Sequence, residues 1–232
     1  MYTAEYPPLV ALTLGTGPFG DQSTGSFTYV EDSPRWIRAR LGGETVADSR
    51  RTKLLHRFGK LPVHLFPPED VRGDLLPEGA LREHDGLVEI DFGAVDEWLE
   101  EDEQLLGHAR DPYHRIDTRR TSRAVRVLIE GRPVAETTRA VALFESSLPT
   151  RWYIPREDVI AELEPSDHRT TCAYKGHATH FSVAGEDAVA WSYEDPLNDA
   201  VPVKDMVAFY NERVDIEIDG EREERPQTQW SR

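Results

Sequence analysis

"RVLIEGRPVAETTRAVALFESSLPTRWYIPREDVIAELE", Arg126 to Glu164, decides the fold because the chain contains it twice. Shifted back by 88 positions, it lies without a gap on "RARLGGETVADSRRTKLLHRFGKLPVHLFPPEDVRGDLL", Arg38 to Leu76. Arg126 meets Arg38, Gly131 meets Gly43, Val134 and Ala135 meet Val46 and Ala47, Arg139 meets Arg51, and Leu143 meets Leu55. Pro155, Glu157, Asp158 and Val159 then meet Pro67, Glu69, Asp70 and Val71. Spacing held over that length implies two copies of one local fold. In each copy a run ending in a glycine turn ("VRVLIEG", "IRARLGG") is followed by a returning run ("PVAET", "TVADS"), the pattern of a β-hairpin. Further apolar runs lead into the PxEDV motif. There proline suits the first position of a short helix, and acids in the first turn suit the positive end of its dipole.

The expected fold is therefore mainly β, α+β by strict count, with two duplicated small β domains that carry short helices and pack against each other. The expected boundaries are an N-terminal extension over 1–32, a first, diverged repeat over 33–107, a linker over 108–120, a second repeat over 121–220 and a flexible tail over 221–232. After PxEDV the copies part. The second continues through "TTCAYKGHATHFSV" (Thr170 to Val183) and "AVAWSYEDP", whereas the first, shorter by about five residues, reads "LVEIDFGAVDEWLEEDEQ". A last helix is expected over "PVKDMVAFYNERVD" (Pro202 to Asp215), where Met206 and Tyr210, then Val207 and Val214, recur at helical spacing.

Composition narrows the function classes. Of 232 residues, 27 are Lys or Arg and 43 are Asp or Glu, a formal net charge of −16 that repels phosphate backbones and excludes nucleic acid as a general partner. One cysteine makes no internal disulfide, in keeping with a reducing cytosol. The apolar run Leu9 to Leu14 follows an acid, lacks a basic leader and is too short to span a bilayer. A soluble cytoplasmic protein with no membrane partner is expected.

The stretch around Cys172 concentrates chemistry-bearing side chains. With Lys175-Gly176 as a two-residue turn, Tyr174 opposes His177 and Cys172 opposes Thr179. Cys172, Tyr174, His177, Thr179 and Phe181 then share one face, and His180 points away from Cys172. One cysteine and one histidine are too few for zinc, so no metal is expected. The same pair makes Cys172 and His177 the candidate nucleophile and base, against the alternative of a small buried thiol beside aromatics. Val189, Trp191 and Tyr193 share a face of the next strand, with Tyr174, Phe181 and Trp152 able to surround them. Beside Lys175, Arg156 and Asp195 this makes the most plausible small-molecule cleft, although each ring also serves as core.

The order PREDV, TTCAYKG, a strand ending in SV, AWSYEDP and then AFYxERVD resembles the domain of unknown function family 427, sometimes labelled nucleotidyltransferase-like. "GETVADSRR" in the first copy and "RDPYHRID" between copies resemble the actinobacterial tandem form, over about nine-tenths of the chain. The resemblance implies small, mainly β domains of the β-tent group. It implies no catalytic residues. No Gly-Ser with paired aspartates, Walker sequence or glycine-rich phosphate cradle is present to support the label, and no cofactor is expected. CAYKG departs from the usual CPYKG or CPFKG, and His177 and His180 are not family features.

Three functions compete on this reading. The leading one is a module that binds an unidentified small molecule in the second repeat, with Lys175 or Arg156 meeting an anionic group. The second is an enzyme of transferase or hydrolase type using Cys172 or His177 in the same cleft. The third is a structural or protein-interaction scaffold.

Overall fold

The computed structural model describes residues 28–57 and 59–231, and the run Leu9 to Leu14 lies outside them. The chain divides between Tyr113 and His114. The first unit holds β1 (Thr28–Asp32), β2 (Ile37–Leu41), β3 (Glu44–Ser49), β4 (Lys53–Arg57), β5 (Val63–Phe66), β6 (Leu81–His84), β7 (Leu87–Ile90), β8 (Glu97–Glu100) and β9 (Glu103–Gln104). The second holds β10 (Ile116–Arg120), β11 (Val125–Ile129), β12 (Arg132–Thr137), β13 (Val141–Glu145), β14 (Arg151–Tyr153), β15 (Glu164–Cys172), β16 (Gly176–Val183), β17 (Glu186–Ser192), β18 (Val207–Phe209), β19 (Asp215–Ile218) and β20 (Glu221–Arg222). The protein is mainly β: the described residues form five antiparallel sheets, and the helical ones among them form short 3-10 turns.

The duplication is a structural one. Each strand from β1 to β5 begins 88 residues before its counterpart among β10 to β14. The hairpins turn through two residues of positive φ, Gly42-Gly43 and Glu130-Gly131, as the right-handed twist of their strands demands. Both carry a register shift one residue after the matched Ala39 and Val127. In the first unit one sheet runs β1-β4-β5-β7-β6, and the other β3-β2-β8-β9. The second unit repeats the latter as β12-β11-β19-β20. The larger sheet is interrupted there: β10-β13-β14 meets β15-β16-β17-β18 through the Ile154–Val207 bridge, at the place where Phe66 pairs with Val88.

Several expectations change. Ile37 pairs with Glu100 and its counterpart Val125 with Ile218, 118 positions apart rather than 88, so the second copy is longer by thirty residues, not five. The additional chain supplies the β15–β16 hairpin. The linker expected over 108–120 ends in β10, which pairs with β13, and the N-terminal extension ends in β1, which pairs with β4. Pro202 to Asp215 is not a helix. Asn198–Val203 is a 3-10 turn, Asp205 has φ of 60°, which breaks helical continuity, and Val207–Phe209 pairs with β17 and is buried throughout. A strand buried on both faces has no alternation, so its spacing mimics a helix. The tail expected to be mobile also makes contacts: β20 pairs with β19, Arg225 bonds Asp215 at 2.7 Å, and Thr228 Oγ1 donates to Glu212 at 2.7 Å.

The PxEDV motif forms a single 3-10 turn in each copy, too short for its dipole to explain the acids. Their role is tertiary. Asp158 accepts from Thr137 Oγ1 at 2.6 Å and from Arg139 at 2.7 Å, while Glu157 accepts from Arg139 at 3.2 Å. Asp70 accepts from Ser49 at 2.6 Å and Arg51 at 2.8 Å, with Glu69 on Arg51 at 3.1 Å. The valine that follows bridges back to the hairpin, Val71 to Ala47 and Val159 to Ala135. The hydroxyl and the guanidinium hold Asp158 below the usual carboxylate range, and Asp70 likewise. A depressed folded pKa gives stability that is present above the unfolded value of about 3.9 and is lost as pH falls through the folded one. Asp70→Asn and Asp158→Asn, which keep shape but not charge, are each expected to cost about 1 kcal/mol. The double variant should lose less stability than the wild type between pH 5 and about 3, read from urea midpoints across pH.

Candidate functional site

The β15–β16 hairpin turns through three residues, Ala173 to Lys175, with Cys172 opposite Gly176 and Thr171 opposite His177. The partner of Cys172 thus lies three positions from the expected Thr179, and an odd shift reverses the faces. His177 is exposed, its Nδ1 2.9 Å from Thr171 Oγ1. His180 is fully buried and shares the face of Cys172, with Nε2 2.9 Å from Thr170 Oγ1. Burial, with the charges of His168 and Arg169, lowers the His180 pKa to about 4. Cys172, half-buried, accepts the Tyr174 backbone N–H at 3.5 Å. The expected pairing of Cys172 with His177 on one face is therefore absent. Gly176, at φ of 97°, is required here: a Cβ would stand 3.3 Å from the Asp195 carbonyl oxygen.

The aromatic residues expected to form one cleft are distributed among different cores. Trp152 belongs with Phe181, Val189 and Ile216. Trp191 and Tyr193 belong with Val141, Leu143 and Tyr153, and Trp191 Nε1 donates to Tyr153 Oη at 3.1 Å. Burial raises the pKa of both Tyr153 and Tyr193. Tyr174 stacks on His114 at 4.1 Å between centroids. Lys175 is buried on Glu145, which also lies 3.0 Å from His114 Nε2. Burial pushes the Glu145 pKa up, but the His114 hydrogen bond and the Lys175 charge outweigh it and the carboxyl lies below its ordinary range. Lys175 is thus committed to a structural pair. Asp195 is exposed.

Arg156 stands apart from that cluster, in an open groove of about 710 Å³ in the second unit. Arg120, Arg139, Arg156 and Lys204 line it, with hydroxyls from Thr121, Ser122 and Thr138. Val141, Pro155, Pro202 and Met206 give it apolar walls, and Glu157 and Asp205 are its acids. β10 and β13 bring Arg120 beside Val141, and the Tyr193–Lys204 bridge sets the opposite rim. The Arg156 guanidinium lies over the Phe181 ring at 4.8 Å from its centroid, which orients it. Arg139 is paired with Glu157 and Asp158. Among the described residues no carboxylate lies within ion-pair distance of Arg120, Arg156 or Lys204. The sequence marked Arg156, but Arg120 was assigned to a linker and Lys204 to a helix, so their convergence was hidden by element assignment.

Among the described residues no group of three or more His, Cys, Asp and Glu is placed to hold a metal ion, and no helix is long and apolar enough to cross a membrane. No curated protein matches the chain. The model of a family described as a domain of unknown function, DUF427, matches residues 29–85 and 117–220, one segment in each unit. With about half of the first unit and most of the second matched, and so more than half of the chain, the chain belongs to the domain of unknown function family 427 as a tandem member.

Proposed function

We propose that the second unit is a binding module for a small anionic molecule, seated in the groove of Arg120, Arg139, Arg156 and Lys204. The observation that carries this reading is three cations converging without partner carboxylates in a chain of net charge −16. In such a chain, unpaired cations are expected to find counter-charges, as Arg139 does. The duplication supplies a control. At the position of Arg120 the first copy has Asp32, bonded to Lys53 at 2.5 Å, and at the position of Arg156 it has Pro68. The shared arginine, Arg51 or Arg139, is the one tied to the acids of the motif. The features common to both copies build the fold, and the three cations of this groove that lack carboxylate partners belong to the second copy. Apolar walls of Val141, Pro155 and Met206 favour an anion with a carbon skeleton over a bare inorganic ion.

Titration of the full chain with pyrophosphate, a sugar phosphate and a dicarboxylate, followed by calorimetry and by thermal shift, tests this. At least one is expected to raise Tm with concentration in the manner of a ligand that binds only the folded state. Arg156→Ala and Lys204→Ala should each weaken that binding about tenfold, equivalent to about 1.4 kcal/mol. Absence of binding by all three anions, or unchanged affinity in both variants, overturns the reading. Lys175 acts here as scaffold: Lys175→Met leaves Glu145 buried without its cation and should cost about 3–5 kcal/mol of stability, whereas His177→Ala, at an exposed position, should change stability by less than about 0.5 kcal/mol, both read from urea unfolding.

A further inference from the structure

The core of the first unit contains polar atoms that no group among the described residues satisfies. His64 is 4% exposed and neither ring nitrogen has a hydrogen-bond partner. Thr52 Oγ1 and Glu100 Oε2 are likewise buried without one. Glu100 spends its other oxygen on Arg35 at 2.6 Å, and the Arg35 charge bears on His64. The register places Leu54 opposite His64, so Thr52, His64 and Phe66 share a face of β4–β5. The His64 ring lies 6.4 Å from the rings of Phe66 and Trp98. A buried donor or acceptor left unmade is costly, and native cores rarely leave several together.

The second copy shows what the same place looks like without this polarity. Trp152 replaces His64, Ala140 replaces Thr52, and Ile218, the partner of Val125, replaces Glu100, the partner of Ile37. Thr52 and Ala140 are matched by equivalent backbone bonds, from Ser33 N–H and from Thr121 N–H. Even the flanking arginine is kept: Arg123 lies over the Trp152 ring at 5.7 Å, where Arg35 stands near His64. An indole fills this place in one copy. In the other an imidazole stands there, with the Thr52 hydroxyl on the same sheet face and Glu100 Oε2 also left without a partner.

We infer that the core of the first unit binds a small uncharged guest that both donates and accepts hydrogen bonds, held by His64, Thr52 and Glu100. Charge selects the class. Arg35 and Glu100 already neutralise each other, and burial keeps His64 neutral by lowering its pKa to about 3, so a charged guest would meet no opposing charge. Neutral His64 gives one hydrogen and takes one, Thr52 does the same, and Glu100 Oε2 only takes. Water satisfies that set, and so does a small alcohol or amide.

Nitrogen-15 NMR of the full chain, with labelled histidine, reads the site directly. One His64 ring nitrogen should show a hydrogen-bonded N–H and the other a hydrogen-bonded lone pair, with cross-relaxation from the ring to water or to guest protons. A free lone pair without cross-relaxation overturns the inference. His64→Phe discriminates by sign. It should lower Tm by about 3 °C or more, because Thr52 and Glu100 lose their bridge, whereas a rise, the result of deleting two unsatisfied nitrogens, overturns the inference. Should that variant not fold, the NMR measurement on the wild type decides alone. Unfolding in denaturant, dialysis and refolding separate the sources: unchanged Tm and ring shifts identify water, and a lowered Tm restored by the dialysed extract identifies an organic guest.

Discussion

Each unit depends on a carboxylate that reaches back across its own hairpin. Asp70 and Asp158 tie the end of the second hairpin strand, through Ser49 or Thr137, to the turn that follows β5 or β14. The adjacent valine then bridges to the same strand. That closure explains why Glu-Asp-Val is the same in both copies while Pro68 gives way to Arg156. In the second unit Arg139 and Glu157 of this closure also form part of the groove wall, so the fold's fastening and its binding surface are contiguous.

Duplication separates structural requirements from local function within one molecule. Glycine turns, the register shift after Ala39 and Val127, and the arginine on the PxEDV acids occur in both copies. The polar core around His64 occurs only in the first, and the unpaired cations around Arg156 only in the second. The two copies have diverged at different places: the first around His64, the second around Arg156.

Much of the architecture was legible in the sequence because hairpin turns and apolar alternation are local signals. The matched run from Arg38 to Leu76 located four strands and the motif turn of each copy. It did not locate β1 and β10, since "TYVED" and "IDTRR" agree at no aligned position and the register with β4 and β13 equates them. The Cys172 hairpin is legible but its register is not: the loop has three residues, Ala173 to Lys175, instead of two, Gly176 begins the strand, and the partner of Cys172 moves three positions from Thr179 to Gly176. That shift exposed His177 and buried His180. The candidate cleft suffered for a different reason: alternation tells which residues share a strand face, but not which core the face meets. Trp152 and Trp191 lie on opposite sides of that ambiguity. Arg156 is marked by its charge, while Arg120 ends β10 and Lys204 follows a 3-10 turn, and the two converge only in three dimensions.

The last residues of the second unit show how composition misleads about importance. Arg151 is buried with a bidentate grip on Glu212 at 2.7 and 2.8 Å, and its guanidinium lies within 6 Å of the Trp191, Tyr210 and Trp230 rings. Trp230 comes from a stretch so rich in Glu, Arg and Gln that it reads as dispensable. A chain cut after Gly220 would therefore lose a wall of the aromatic box around a buried cation, together with the Thr228 hydroxyl on Glu212. Trimming for convenience would wet the interior of the second unit rather than tidy its end.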